Sequence, residues 1–291
     1  MSIQLKPFYM WAGGKTKVVK SYKNIWPDMN NYDNYAEPFF GGGAVFCWLR
    51  NNQLDRNMDY FIGDINKELM GVTYEVRDNP ENFIKACTRL VNPYLKLEGK
   101  DARKKWYYEQ RKMYWKRPTP ARLYVLMRTG FNGIWQTCKD ANGLFATPAG
   151  LLNQTKIEQI LDKELILTWS TALRNTSIHI GGYDTMKLPT RGKTLIYLDP
   201  PYRDSFTNYS TGFSDKDQEK LITWFRQQTA EGHKVLMSNR CVDGDPFFEE
   251  RLGDIADFHY INVVYTAGRR KNTADGFEAK PARELLIISK Q

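Results

Sequence analysis

The sequence predicts an α/β protein, a mostly parallel sheet interrupted by a mostly helical insertion. Three observations carry that expectation. Strand-like and helix-like segments alternate up to about Ile65, the alternation returns from about Ser170, and the stretch between them is polar, basic and helical in pattern.

Tyr35-Ala36-Glu37 reads as a strand entering the turn Pro38 to Gly43, and the apolar run Ala44 to Leu49 as the helix that follows. Tyr60 to Asp64 is a second short strand ending in an acid, and Asn66-Lys67-Glu68 opens another helix. Such alternation is the mark of a parallel sheet. From Glu68 to Thr168 no strand pattern shows before Phe131, and Lys100 to Arg128 carries ten Lys/Arg against Asp101 and Glu109. Ser177 to Ile180, Thr194 to Leu198, His233 to Ser238, Tyr260 to Tyr265 and Glu284 to Ser289 are then strand-like, with a helix at Asp215 to Gln228. The expected division is residues 1–67 with 170–291 as one α/β domain, and 68–169 as the insertion.

Composition narrows the partner. The chain has 291 residues and a net charge of +9, which favours a polyanion. Hydrophobic content of 42% is globular, and no apolar stretch approaches the roughly 18 residues of a membrane span. Met1 to Gly14 lacks the apolar core of a signal peptide, so the cytoplasm is the default compartment. Cys47, Cys87, Cys138 and Cys241 form no CxxC pair, and with only three histidines reduced thiols and no metal are expected. No obligatory protein partner is implied, and a monomer is the simplest assembly.

Asp199-Pro200-Pro201-Tyr202 follows the run Thr194 to Leu198, at the carboxyl edge where open α/β sheets bind ligands. The chemistry suits an exocyclic amine on a flat base, whose lone pair is delocalised into the ring. Acceptors on its N–H groups restore tetrahedral character and aim the pair at an electrophile. Asp199 supplies one acceptor and the Pro200 carbonyl another, while the prolines stiffen the loop and Tyr202 offers a ring for a flipped base. A strand followed by a Pro-Pro turn is the bland alternative.

Glu37-Pro38-Phe39-Phe40-Gly41-Gly42-Gly43 places glycines where strand passes to helix, letting a ligand approach the backbone. A tight structural turn explains such glycines equally well until Asp64 is added. About twenty residues on, a Rossmann-type unit presents a carboxylate to ribose hydroxyls, so an adenosine-containing cofactor is implied. Trp11-Ala12-Gly13-Gly14-Lys15-Thr16 contains Gly-Lys-Thr, but a phosphate loop would need glycine where Tyr9 stands. Lys15 can instead reach a carboxylate.

In the insertion, Lys104 to Arg117 interleaves cations with aromatics, and Tyr107, Arg111 and Tyr114 share one helical face. Aromatics docked inward beneath a solvated basic face, or direct base contact, both fit. Phe131-Asn132-Gly133 and Asn142-Gly143 are turn chemistry, with Ile134-Trp135 and Leu144-Phe145-Ala146 as arms of a hairpin slim enough for a major groove. Gly268 to Asn272 is a second basic loop, or simply a solvated one.

Taken together, these boxes resemble the Dam-like DNA adenine-N6 methyltransferases over nearly the whole chain. Trp11 to Lys15, Glu37 to Phe46, Asp64 to Asn66 and Asp199 to Tyr202 match that family's motifs in its order. The resemblance implies a Rossmann-like methyltransferase sheet with an inserted target-recognition domain containing a β-hairpin. It further implies S-adenosylmethionine as cofactor, double-stranded DNA as partner, and Asp199, Pro200, Pro201 and Tyr202 as catalytic residues. Candidate cofactor contacts are Trp11, Lys15, Phe39, Gly41, Gly43 and Asp64, joined by Tyr9, Ala12, Gly13, Glu37, Pro38, Ile65, Tyr183 and Asp199. Candidate DNA contacts are Lys104, Lys105, Lys112, Lys116, Arg128, Asn132, Gln136, Lys139, Arg269 and Arg270. Two departures stand out: Gly182 precedes Tyr183 where the family carries an acid, and Gln136-Thr137-Cys138 replaces the Arg-Tyr-Asn of GATC readers, so a GATC target is not implied. Cytosine-N4 or RNA adenine methylation presents the same amine chemistry, and a catalytically silent DNA-binding protein on this scaffold is the alternative from another class.

Overall fold

The structure is a computed structural model that describes residues 4–52, 58–203, 212–242, 244–264, 271–273, 276–278 and 281–290. In chain order its elements are β1 (Asn34–Glu37), α1 (Ala44–Asn52), β2 (Asp59–Asp64), α2 (Lys67–Asp78), α3 (Pro80–Leu95), α4 (Gly99–Lys116), α5 (Pro120–Thr129) and α6 (Lys163–Ala172). There follow β3 (Thr176–Ile180), β4 (Thr194–Leu198), α7 (Asp215–Ala230), β5 (Lys234–Arg240), α8 (Phe247–Leu252), β6 (Ala256–Val264), β7 (Lys271–Thr273), β8 (Gly276–Glu278) and β9 (Pro281–Ser289). Two compact units result: Met1–Thr16 with Gly41–Arg56 and Asp64–Ile180, and Lys17–Phe40 with Asn57–Gly63 and Gly181–Gln291.

The second unit is built on a sheet. β1 lies between β2 and β4, parallel to both, with Tyr35 opposite Tyr60 on one side and Leu195 on the other. β5 continues the parallel series beside β4. β9 is antiparallel to both β5 and β6 and lies between them, so the last strand of the chain sits inside the sheet. All five residues of β4 are buried, as an apolar run in a parallel strand covered on both faces should be. Leu221 and Phe225 of α7 pack on Ile196, Leu198, Val235 and Met237. Ser214 caps α7, its hydroxyl and Asp217 forming a capping box.

The first unit is mostly helical, and no strand interrupts α2 to α5 among the described residues. Asn66 caps α2 by accepting from the Leu69 amide at 3.1 Å, and Thr119 caps α5 with Pro120 in its first turn. The wholly buried Trp169 donates from its indole to the Lys6 carbonyl at 2.7 Å, with the rings of Phe8 and Phe46 packed against it. On α4, Trp106, Tyr107 and Tyr114 are buried while Lys104, Lys105, Lys112 and Lys116 are exposed. The helix is thus the amphipathic one, with aromatics inward and a basic outer face. No helix among the described residues is long and apolar enough to cross a membrane.

The segment expected to be a hairpin returns antiparallel but forms isolated bridges, Thr137 with Phe145 and Gly130 with Ala149, and no continuous ladder among the described residues. Backbone bonds flank the bridges, the Cys138 amide donating to the Leu144 carbonyl at 3.2 Å and the Ala146 amide to that of Gln136 at 2.7 Å, and side chains of α4 add to them. Tyr107 donates to the Thr147 carbonyl at 2.9 Å, Arg111 to the carbonyls of Ala146 and Thr147 at 2.7 and 3.0 Å, and the Trp115 indole to that of Phe145 at 2.9 Å. A short 3-10 turn, Lys139–Ala141, ends on Asn142 in the left-handed region and closes the tip. Side chains of α4 therefore hold this short antiparallel loop by carbonyls that its own backbone leaves available.

Candidate active site

In the first unit the candidate cofactor residues gather around a glycine turn. Gly41 and Gly43 have φ of +47° and +66°, which a residue with a Cβ adopts only under strain. The Trp11 side chain lies against this turn. A Cβ on Gly41 would come within 2.9 Å of the Trp11 indole nitrogen, and one on Gly42 within 2.8 Å of the Trp11 Cβ. Tyr9 donates its hydroxyl to the Gly41 carbonyl at 2.9 Å. Burial, then the charge of Asp64, pushes the Tyr9 pKa far up, so its hydroxyl remains a donor.

Asp64 closes β2, and both its oxygens work on backbone. Oδ2 accepts from the Gly41 amide and Oδ1 from the Asn66 amide, each at 2.9 Å. Burial raises its pKa, opposed by the amides of Asn66, Gly41 and Ile65. Each carboxylate oxygen has a second lone-pair direction, so hydroxyl donors can still be accommodated. Ile65 beside it is 72% exposed, whereas Lys15 is buried. Ala12 and Gly13 form the turn after Trp11, with Gly13 at φ +80° and the Gly14 amide donating to the Trp11 carbonyl. The same turn touches the loop beyond α5: the Ala12 amide donates to the Gly133 carbonyl at 3.0 Å, and the rings of Trp11 and Trp135 are 5.9 Å apart.

In the second unit, Glu37 and Pro38 are buried at the end of β1, where the Tyr35 hydroxyl donates to Glu37 at 2.8 Å. Phe39 stacks on Tyr183 at 5.4 Å, and Trp224 meets Tyr183 edge-on. Burial foremost, then the charges of Asp184 and Asp217, pushes the Tyr183 pKa up to about 12. Asp199 follows β4 directly and accepts at Oδ1 from the Ser238 hydroxyl at 2.9 Å. The loop after it is held at alternate residues. Gln218 donates from its side-chain amide to the Pro201 carbonyl at 2.9 Å, and the Arg203 amide donates to Asn239 at 3.3 Å. The Arg203 guanidinium pairs with Asp215 and Asp245 and lies 3.9 Å over the Phe247 ring. Pro200 is buried and Tyr202 half-buried between these anchors.

Gln218 and Arg203 were not singled out from the sequence. The signal for Gln218 was its place on the inward face of α7, in helical step with Leu221, Ile222 and Phe225, where a buried amide needs a buried partner.

Of the candidate DNA contacts, Lys104, Lys105, Lys112, Lys116, Asn132, Gln136 and Lys139 are exposed on the first unit. Arg128 instead turns its guanidinium onto the carbonyls of Ile160 and Gln159 at 3.0 and 2.7 Å, binding the chain beyond α5. Arg269 and Arg270 lie outside the described residues.

Comparison with known proteins bears on the same boxes. The family model for D12 class N6 adenine-specific DNA methyltransferases matches residues 11–267, from the Trp11 turn through the Asp199 loop and beyond. A type II methyltransferase of Lactococcus lactis subsp. cremoris, M1.LlaDCHI, is 30% identical over 93% of this chain and 92% of its own length. M.MjaIII, a type II methyltransferase of Methanocaldococcus jannaschii, is 30% identical over 81% of this chain and 85% of its own. The DNA adenine methylase of Escherichia coli K12 is 26% identical over 98% and 95%. With a mixed, mostly parallel sheet, a carboxylate and two prolines at the end of β4, and a match that spans both units, the chain belongs to the D12 class of N6 adenine-specific DNA methyltransferases.

Proposed function

We propose that the protein methylates the exocyclic amine of an adenine flipped out of double-stranded DNA, taking the methyl group from S-adenosylmethionine. The observation that carries this is the placement of Asp199, Pro200 and Tyr202 at the carboxyl end of a buried parallel strand, in a chain of this family. The glycine turn fits the cofactor reading: without a Cβ at Gly41 or Gly42 the Trp11 side chain lies directly on the turn, and Asp64 retains acceptor capacity for ribose hydroxyls. Trp11, Lys15, Phe39 and Tyr183 complete the cofactor set in this reading. When bound, the cofactor supplies a methyl group on a positively charged sulfur, which leaves neutral and needs no metal.

The protein's part is orientation and proton handling. Asp199 accepts one N–H of the amine and the Pro200 carbonyl the other, directing the nitrogen lone pair away from the ring. Gln218 engages the Pro201 carbonyl rather than that of Pro200, which suits this division of labour. Tyr202 stacks on the flipped base. Residues 68–169 act as the target-recognition part, with Lys104, Lys105, Lys112 and Lys116 on phosphates and Asn132, Gln136 and Lys139 at base edges.

The test is mass analysis of nucleosides after incubating the protein with DNA and S-adenosylmethionine. N6-methyladenine is the expected product, and N4-methylcytosine or no methylation would overturn the proposal. Asp199→Ala should lower turnover by on the order of a hundredfold or more while cofactor binding survives. A near-normal rate in that variant would remove Asp199 from the chemistry.

A further inference from the structure

Beneath Asp199 lies a buried chain of hydroxyls. The Tyr197 hydroxyl donates to Ser238 Oγ at 2.9 Å, and Ser238 in turn reaches Asp199 Oδ1 at 2.9 Å and the Leu198 carbonyl at 3.3 Å. Tyr197 and Ser238 are both fully buried. Burial foremost, then the charge of Asp199, pushes the Tyr197 pKa far up, so the phenol keeps its proton and acts as the donor. Ser238 has one proton to give. Of its two acceptors the carboxylate is nearer, and a charged acceptor makes the stronger bond. The chain therefore has a direction, from Tyr197 through Ser238 to Asp199, and each bond polarises the next.

We propose that Ser238, backed by Tyr197, is a positioning residue for methyl transfer: its hydroxyl sets the orientation of the Asp199 carboxylate that receives the amine. This rests on the reading of Asp199 as the acceptor for that amine. The backbone of β4 carries Asp199 to the sheet edge but does not by itself set the rotation of its carboxylate. Ser238, on the neighbouring strand β5, fixes it at Oδ1. Asn239, the next residue of β5, holds the Arg203 amide, so one strand end grips the catalytic loop on both sides. A hydroxyl present only to satisfy a buried strand could be bonded equally well to the Leu198 carbonyl. Under that purely structural role, its loss would change stability and binding but not the rate of the chemical step selectively.

The experiment uses the full-length protein with S-adenosylmethionine and genomic DNA from a strain lacking adenine methylation. Single-turnover methylation and the dissociation constants for DNA and cofactor are measured for Ser238→Ala, Tyr197→Phe, the double variant and Asp199→Ala. Tyr197→Phe keeps the ring and removes only the hydroxyl, so it reports even if the serine variant folds poorly. Ser238→Ala should lower the single-turnover rate on the order of 10- to 100-fold with both dissociation constants unchanged. Tyr197→Phe should show a smaller loss, and the double variant should be no slower than Ser238→Ala, because the phenol acts through the serine. A full rate in Ser238→Ala beside an inactive Asp199→Ala overturns the positioning role alone. So does a loss confined to affinity, or losses that multiply in the double variant. Normal methylation by Asp199→Ala would instead sink the reading on which the role depends.

Discussion

Replacing Asp64 does two separable things, because its carboxylate is both a candidate ribose ligand and the anchor of the glycine turn. Its two oxygens take the amides of Gly41 and Asn66, one each. A buried donor left without a partner costs about 1–3 kcal/mol, so Asp64→Ala, which strands both, should destabilise the protein by roughly 2–6 kcal/mol. Burial, which raises the Asp64 pKa, offsets part of that loss once the charge is gone. Asp64→Asn keeps one oxygen and turns an NH2 toward the other amide, so it should cost about 1–3 kcal/mol. Against a total stability of about 5–15 kcal/mol, the asparagine variant remains folded and is the one on which to measure binding. Urea denaturation of the cofactor-free protein should rank wild type above Asp64→Asn above Asp64→Ala. Calorimetry on Asp64→Asn should then show S-adenosylmethionine binding weakened by a further 1.5–3 kcal/mol, roughly the worth of a charged acceptor. If Asp64→Ala unfolds within about 0.5 kcal/mol of wild type, the carboxylate does not hold the turn. If Asp64→Asn binds cofactor normally, Asp64 is not in the site.

Three further outcomes are expected. Tyr202→Ala should damage methylation more than Tyr202→Phe, since stacking on the ring is worth about 1–3 kcal/mol and the hydroxyl is not required; equal rate losses in the two would refute the stacking role. Neutralising the exposed Lys104, Lys105, Lys112 and Lys116 should weaken binding to every DNA and flatten the salt dependence by about 0.9 per lost phosphate contact. Changes at Gln136 or Lys139 should instead alter which sequences are methylated, and methylome maps in which the lysine changes shift the motif would reverse that division. His233 has its pKa lowered, chiefly by burial. A base depressed in the folded state contributes stability that is present above its unfolded pKa of about 6.5 and is lost as pH falls through the lowered value. His233→Gln should therefore lose less stability than wild type between neutral pH and the acid range; parallel stability curves for the two would refute the role of its titration.

The features legible in the sequence were the local ones. Strand β4 was expected at Thr194 to Leu198 and forms over those residues, because an unbroken apolar run ending in Asp-Pro-Pro has few other conformations. Helix α7 begins at the expected Asp215, since Ser214 and Asp217 are a capping signal carried by neighbours in the chain. The boxes at Trp11, Gly41, Asp64 and Asp199 were recognisable for the same reason: each is a short run whose chemistry its own residues determine. What the tertiary structure decided are the pairings across long separations. Strand periodicity says nothing of sheet order, so the insertion of β9 between β5 and β6 could not be read from it. Composition counts Arg111 and Arg128 as cations available to phosphate, but packing turns both guanidinium groups onto backbone carbonyls. The loop from Ile134 to Thr147 carries hairpin signals and returns antiparallel through short backbone bonds, but only packing shows that Tyr107 and Trp115 of α4 bond its Thr147 and Phe145 carbonyls. Ser238 reaches Asp199 because the register of β5 against β4 places it there, 39 residues away in the chain. Local preference is set by adjacent residues, whereas which buried polar group satisfies which is settled only when the sheet has formed.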